Sequence, residues 1–254
     1  MIAGSYTSPV FNLIMAFNKL RVDKADEFLK LYNKKNPDKK LTYTYLCIKA
    51  LTEGTFSDGK VNRKKCFGQF IPLNHIDICT IINIDYTNAY LFVLRNAEKY
   101  GLVGLRENLR HEFIKIKKGK NEDVNREFKT FGLFSAPALF LLIKVAMFLV
   151  NQLDITIEPA KLFKDHFGTL LFSNVSGFSL ENFVTYPVNI GGMGAGLLFN
   201  SPKKRGVVND KGEIEIGTII QSNFGFKRSL YTVEEVDSFL RKFVDVFDNP
   251  SNYL

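Results

Sequence analysis

"GEIEIGTIIQSNFGFKRSLYTVEEVDSFLRKFVDVFDNPSNYL", residues 212–254, is the stretch from which the rest of the chain can be read. Its first part, "GEIEIGTIIQS", alternates as a strand does. Its second part, "VEEVDSFLRKFVDVF", is an amphipathic helix. The short junction between them carries Lys227, Arg228, Ser229, Tyr231 and Thr232, with no histidine, cysteine or acid before Glu234. A polar junction between a strand and a terminal helix is a common place to mount chemistry, because loops on a rigid scaffold carry function. This one lacks the usual acid–base side chains.

Working outward, "PKKRGVVNDKGEIEIGTIIQSNF" reads as a hairpin turning at Asn209, Asp210, Lys211 and Gly212. "GGMGAGLLF" is a glycine-rich apolar strand of the kind found where another backbone passes closely. It lacks the GxGxxG order of a dinucleotide fingerprint. "GTLLFSNVSGF" is a strand that breaks into a turn, with Asn174, Ser176 and Gly177 supporting the turn. Nearer the start, "VDKADEFLKLYNKK" places Val22, Ala25, Phe28, Leu29 and Tyr32 on one helical face. "LTYTYLCIKALTEG" reads as a buried helix stopped by Gly54. "GKVNRKKCFGQFIPLNHIDICTIINID" predicts two strands with a turn near Pro72-Leu73-Asn74, and "AYLFVLRN" another strand. From Ala97 to Lys118 the period becomes helical, and "GKNEDVNREF" is a polar connection. No internal repeat or Pro/Ser-rich linker interrupts the pattern, so residues 1–254 are expected to form one mixed α/β domain.

Composition bounds the function class. The chain has 254 residues, enough to bury a substantial core. Phenylalanine is common (24) and tryptophan absent, so that core is expected to rest on Phe, Leu and Ile. Cys47, Cys66 and Cys79 form no CxxC pair and each lies in an apolar run, which reads as buried free thiols in a reducing compartment rather than disulfides or metal ligands. A net charge of +8 suits nucleic acid, but the lysines of "NKKNPDKK" and "IKIKKGK" interleave with acids and no nucleic-acid motif is present. The N-terminus shows neither a secretory signal nor a presequence, so a cytoplasmic location is expected, with the mitochondrion as the alternative. "FGLFSAPALFLLIKVAMFLV", residues 131–150, is broken by Lys144 before it reaches the roughly 20 residues of a spanning helix. It predicts a buried or groove-packed helix starting near Ser135, with Pro137 in the first turn; peripheral membrane contact through residues 131–150 is the alternative.

The order of these pieces resembles the catalytic domain of the dihydrolipoamide acyltransferases of 2-oxoacid dehydrogenase complexes, which share a fold with chloramphenicol acetyltransferase. "HIDICTIINID" is similar to the family's "vdigvAVd" strand and "LFVLRNAEKYGLVGLRENL" to its "vPVIrnAd..sl.eia.el". "FGTLLFSNVSGF" resembles "GtftiSNlGmfG", and "VDSFLRKFVDVFDNPSNYL" matches the closing "aarFL..lk.lLedPe.lL" without a gap. The resemblance covers nearly the whole chain. It implies a two-layer α/β sandwich, a homotrimer with sites between subunits, and coenzyme A or an acyl-CoA as ligand. The lipoyl and partner-binding domains of the complex-forming members have no counterpart in residues 1–254.

Counting back from Phe239-Leu240, the family's "SFDHRVVDGA" puts its histidine on Arg228, its aspartate on Thr232 and its glycine on Val233. In the family that histidine is the general base, and a base needs a lone pair near neutral pH. A guanidinium has none to offer. Ser173 falls on the family's oxyanion-stabilising serine, and reads equally as a turn residue at a strand end. Arg228 reads as an anion-binding charge or as half of an interface salt bridge. His75, His111 and His166 are expected to be surface or packing residues, and Glu234 to sit in the first helical turn, where the dipole favours it.

Two classes of function follow. One is a trimeric binding or scaffold protein on an acyltransferase fold without its base, retaining CoA or another anionic ligand. The other is a working acyltransferase with a relocated base or an amine acceptor. A nucleic-acid or membrane-surface module rests on charge and residues 131–150 alone.

Overall fold

The computed structural model describes residues 13–57, 60–83, 89–117, 135–158, 167–177, 193–209 and 211–254. The strands are β1 (Leu13–Arg21), β2 (Arg63–Cys66), β3 (Gln69–Pro72), β4 (Ile78–Asn83), β5 (Ala89–Leu94), β6 (Leu170–Asn174), β7 (Ala195–Phe199), β8 (Lys203–Val208) and β9 (Ile214–Lys227). The helices are α1 (Asp23–Lys35), α2 (Tyr43–Phe56), α3 (Leu102–Lys117), α4 (Ala136–Asn151) and α5 (Val233–Asp248). One mixed sheet runs β1-β9-β7-β6-β4-β5. Strand β6 is parallel to both β4 and β7, and the other pairings are antiparallel.

β9 organises this sheet. Its first half pairs with β8, and its second half lies between β1 and β7. Period two then sorts its side chains. Phe224 and Phe226 enter the helical side of the sheet, where they meet Phe239 and Phe243 of α5 at ring-centroid separations of 5.0–6.0 Å, mostly edge to face. All four rings are buried. Each such ring contributes roughly 1.5–3 kcal/mol by leaving water. The next row, Gly225–Gly196–Leu171–Cys79, turns to the opposite face, where Leu171 and Cys79 pack with Met193. The expected Phe-rich core and strand–helix order of residues 212–254 are thus present, as is the hairpin at Asn209–Gly212, where Gly212 has φ +82°.

Three local expectations differ. Gly54 does not end α2, which runs on to Phe56. A Cβ at Gly54 would meet the Phe239 ring at 2.9 Å, so the glycine serves helix packing rather than termination. Residues 63–83 hold three strands rather than two, because the chain also turns at Phe67-Gly68, both with positive φ. The helix predicted to begin near Ser135 does so, with Ser135 preceding its first turn and Pro137 in it. It is not buried: Phe140, Leu141 and Phe148 are 61%, 63% and 49% exposed, and only Ala146 and Val150 of its described residues are buried. Among the described residues, no helix is long and apolar enough to cross a membrane. The three cysteines are buried thiols outside any disulfide among the described residues, and burial pushes the Cys79 thiol up to about 12. The polar connection 119–128 and His166 lie outside the described residues.

Candidate functional site

β9 ends at Lys227, whose backbone N–H donates to the Gly194 carbonyl at 2.9 Å. The Lys227 carbonyl then accepts from the N–H groups of Leu230 (2.8 Å) and Tyr231 (3.0 Å), which closes a tight turn through Arg228 and Ser229. Leu230 and Tyr231 are buried, and Arg228 projects into solvent. Among the described residues the Arg228 guanidinium has no hydrogen bond or ion pair.

Thr232 begins α5. Its hydroxyl accepts the Glu235 N–H at 3.3 Å, and the Glu235 carboxylate accepts the Thr232 N–H at 3.0 Å. This capping box satisfies two otherwise orphaned donors. The same carboxylate receives Arg63 of β2 in a two-point pair at 2.8 and 2.9 Å, and Arg63 also donates to the Leu230 carbonyl. The guanidinium lies 4.6 Å from the Phe70 ring centroid and 5.9 Å from that of Tyr231. Burial pushes the Tyr231 phenol well above its ordinary range against the opposing charge of Arg63, which removes it as a base near neutral pH. Glu234 stands exposed in the first turn of α5 as expected; a backbone hydrogen bond, with help from the Thr232 hydroxyl, lowers its pKa.

Ser173 is not a turn cap. It is the fourth residue of β6, in register with Ile81, Leu198 and through Leu198 with Asn223. The turn beyond is capped by Asn174, whose side-chain carbonyl accepts the Ser176 N–H at 2.9 Å. The Ser173 hydroxyl makes no hydrogen bond among the described residues. Two strand spacings and four residues of rise separate Ser173 from Lys227, about 16 Å between Cα atoms. Within one chain, Ser173 and the Arg228 turn therefore stand apart.

The two histidines among the described residues offer no base here. His75 precedes β4 rather than beginning a strand and lies 3.4 Å from Glu98; His111 is on the exposed side of α3. No group of acids, histidines and cysteines that could hold a metal exists among the described residues.

Lys227 is the residue that sequence reading passed over. With Phe224 and Phe226 in the core, alternation sends Gly225 and Lys227 to the face that bears Ser173. Its amine has no hydrogen bond or ion pair among the described residues, and burial lowers its pKa from 10.5 to about 8. The period of β9 was the signal that could have revealed it.

No protein family matches the chain by sequence, and no curated protein does. Solved structures do match it in shape. A probable dihydrolipoamide acetyltransferase from Listeria monocytogenes superposes with a TM-score of 0.68 at 14% identity, covering 93% of this chain and 84% of that one. The cubic core of a pyruvate dehydrogenase multienzyme complex gives 0.68 at 13% identity, over 95% and 83%. Chloramphenicol acetyltransferase gives 0.52 at 9% identity, over 93% and 88%. The chain has the fold of the 2-oxoacid dehydrogenase acyltransferase cores. The two-layer α/β architecture implied by the sequence resemblance is therefore correct, and the acyltransferase fold is the frame in which Ser173, Lys227, Arg228 and Thr232 are placed.

Proposed function

We propose that this chain is a 2-oxoacid dehydrogenase-type acyltransferase domain that has lost its acid–base machinery. It acts as a homotrimeric binding or scaffold protein that still admits coenzyme A or a similar anion. One observation carries this reading: the position of the family's histidine holds an exposed guanidinium, and the position of its aspartate is occupied by a threonine committed to a capping box. Neither can abstract a proton from a thiol at neutral pH.

The trimer is supported by two surfaces. Helix α4 exposes Phe140, Leu141, Leu142 and Val145, and the β8–β9 arm exposes Val208, Ile214 and Ile216, the last two at 82% and 77%. Apolar surface of this kind marks interaction sites. The separation of Ser173 from Arg228 within one chain also suits a site completed by a neighbour. Arg228, free of partners among the described residues, gives such a site an unneutralised charge for an anionic ligand.

Light scattering tests the assembly, with a mass three times 28.9 kDa expected. Calorimetric titration with acetyl-CoA and with CoA tests the ligand. Micromolar binding without multiple turnover fits the reading, and absence of binding at millimolar cofactor sinks its ligand half. The second reading, an active acyltransferase with an amine acceptor, rests on the unbonded Ser173 hydroxyl. Under it, Ser173→Ala lowers turnover by about tenfold or more, and under the first reading it changes nothing.

A further inference from the structure

We propose that Lys227 is an acyl-accepting amine: a nucleophile that takes an acyl group from a thioester and keeps it as an amide. The inference rests on the reading that this fold still admits an acyl thioester. It begins from geometry. Lys227 is the last residue of β9, one position before the exposed Arg228, on the sheet face that carries Ser173. Its side chain is partly buried and finds no acid among the described residues. Two charged groups at this end of the sheet are already committed. Asp77, at the same end of the sheet on β4's side, is paired with Arg95 at 2.7 Å and accepts the Asn96 N–H; Arg63, behind the turn, is held by Glu235 and the Leu230 carbonyl. Arg228 adds only positive charge.

A lysine in such a place has one chemical consequence. Without a carboxylate to hold it as ammonium, burial favours the neutral amine. With its pKa near 8, about a tenth of the amine is free at pH 7, roughly 300 times the fraction of a solvated lysine. The step balances without a co-reactant. The nitrogen lone pair attacks the thioester carbonyl carbon, forming C–N. The C–S bond breaks as the tetrahedral adduct collapses, and the departing thiolate takes the proton released by nitrogen. The products are an acyl-lysine and a free thiol. Because an amide is not turned over by the residues present, each chain is acylated once. Arg228 is placed to attract an anionic thioester carrier to that amine.

The experiment uses the intact protein and two reagents, acetyl-CoA and the small neutral S-ethyl thioacetate. Acetylation is followed lysine by lysine by peptide mass spectrometry, with exposed Lys24 as the internal reference. Lys227 is expected to react about tenfold or more faster than Lys24 with both reagents. Lys227→Arg removes that fast event and leaves Lys24 unchanged. A Lys227 rate no greater than that of Lys24 with both reagents overturns the proposal; the wild-type comparison needs no variant to fold. If acetyl-CoA binds by calorimetry and Lys227 stays unmodified, the nucleophile is wrong and the ligand reading stands. If acetyl-CoA does not bind but the neutral thioester selects Lys227, the ligand reading fails and the nucleophile stands.

Discussion

Arg63 and Glu235, 172 residues apart in sequence, form a two-point ion pair that joins the β2–β3 hairpin to the first turn of α5. Both side chains are largely buried, at 15% and 14% exposure. Because the same arginine donates to Leu230 O and the same glutamate accepts from Thr232 N, the pair fixes both ends of the Leu230–Thr232 segment.

Truncating one member leaves the other charge buried and unpaired, a cost of about 3 kcal/mol. Arg63→Met and Glu235→Met are each expected to lose that much in urea unfolding. Glu235→Met also loses its half of the capping box. The double variant, lacking both charges, is expected to lose less than the sum. Additive losses in the double-mutant cycle would show that the pair is not coupled.

Gly194 and Tyr231 make a second close fit. A Cβ at residue 194 would run into the Tyr231 hydroxyl, with Leu230 Cδ1 3.1 Å away. Tyr231 is buried and braced against Phe226, so it cannot step aside cheaply. Gly194→Ala is expected to cost about 2 kcal/mol. Tyr231→Phe, which deletes the clashing oxygen, should recover part of that loss in the Gly194→Ala background. If Gly194→Ala melts like the wild type, the junction is softer than this packing implies.

Much of this architecture was legible because period and punctuation agree in residues 212–254. β9 alternates and α5 repeats on one face. Other features depend on partners that a single sequence does not display. The Phe67-Gly68 turn was hidden because phenylalanine rarely adopts positive φ, and "RKKC" does not look like a strand. Gly54 looked like a helix stop because its reason for being glycine, the Phe239 ring, lies 185 positions away. Helix α4 looked buried because apolar sequence normally is. Lys227 was one polar residue among several at the junction until Phe224 and Phe226 fixed which way the strand faced.

The proposed loss of the base can be tested by placing histidine at 228 and aspartate at 232. Arg228 is exposed and Thr232 caps a helix, a role aspartate fills equally well. The variant Arg228→His with Thr232→Asp is therefore expected to keep its stability within about 0.5 kcal/mol. If the remaining scaffold and trimer are intact, acetyl transfer from acetyl-CoA to a dithiol acceptor should rise by about a hundredfold over the wild type, the scale of a positioned general base. A stable, CoA-binding double variant with no gain would mean that more than the base has been lost.

Lys227 gives a test through stability alone. Its folded pKa, about 8, lies below its ordinary value of 10.5. Below pH 8 both the folded and the unfolded chain carry the proton, and the folded chain bears the full cost of a desolvated charge. Between 8 and 10.5 the unfolded chain binds more protons, so the lysine's contribution to stability becomes less unfavourable as pH rises. Above 10.5 the penalty is gone. Lys227→Met, which keeps an unbranched chain without the charge, should therefore be more stable than the wild type by about 2 kcal/mol near pH 7. That advantage should shrink steadily as pH climbs through the window. Taking the difference between the two proteins at each pH cancels the titration of every other group that the substitution leaves undisturbed. An advantage that stays flat from pH 7 to pH 10 would mean that Lys227 remains solvated, and would remove the physical basis for its reactivity as an amine.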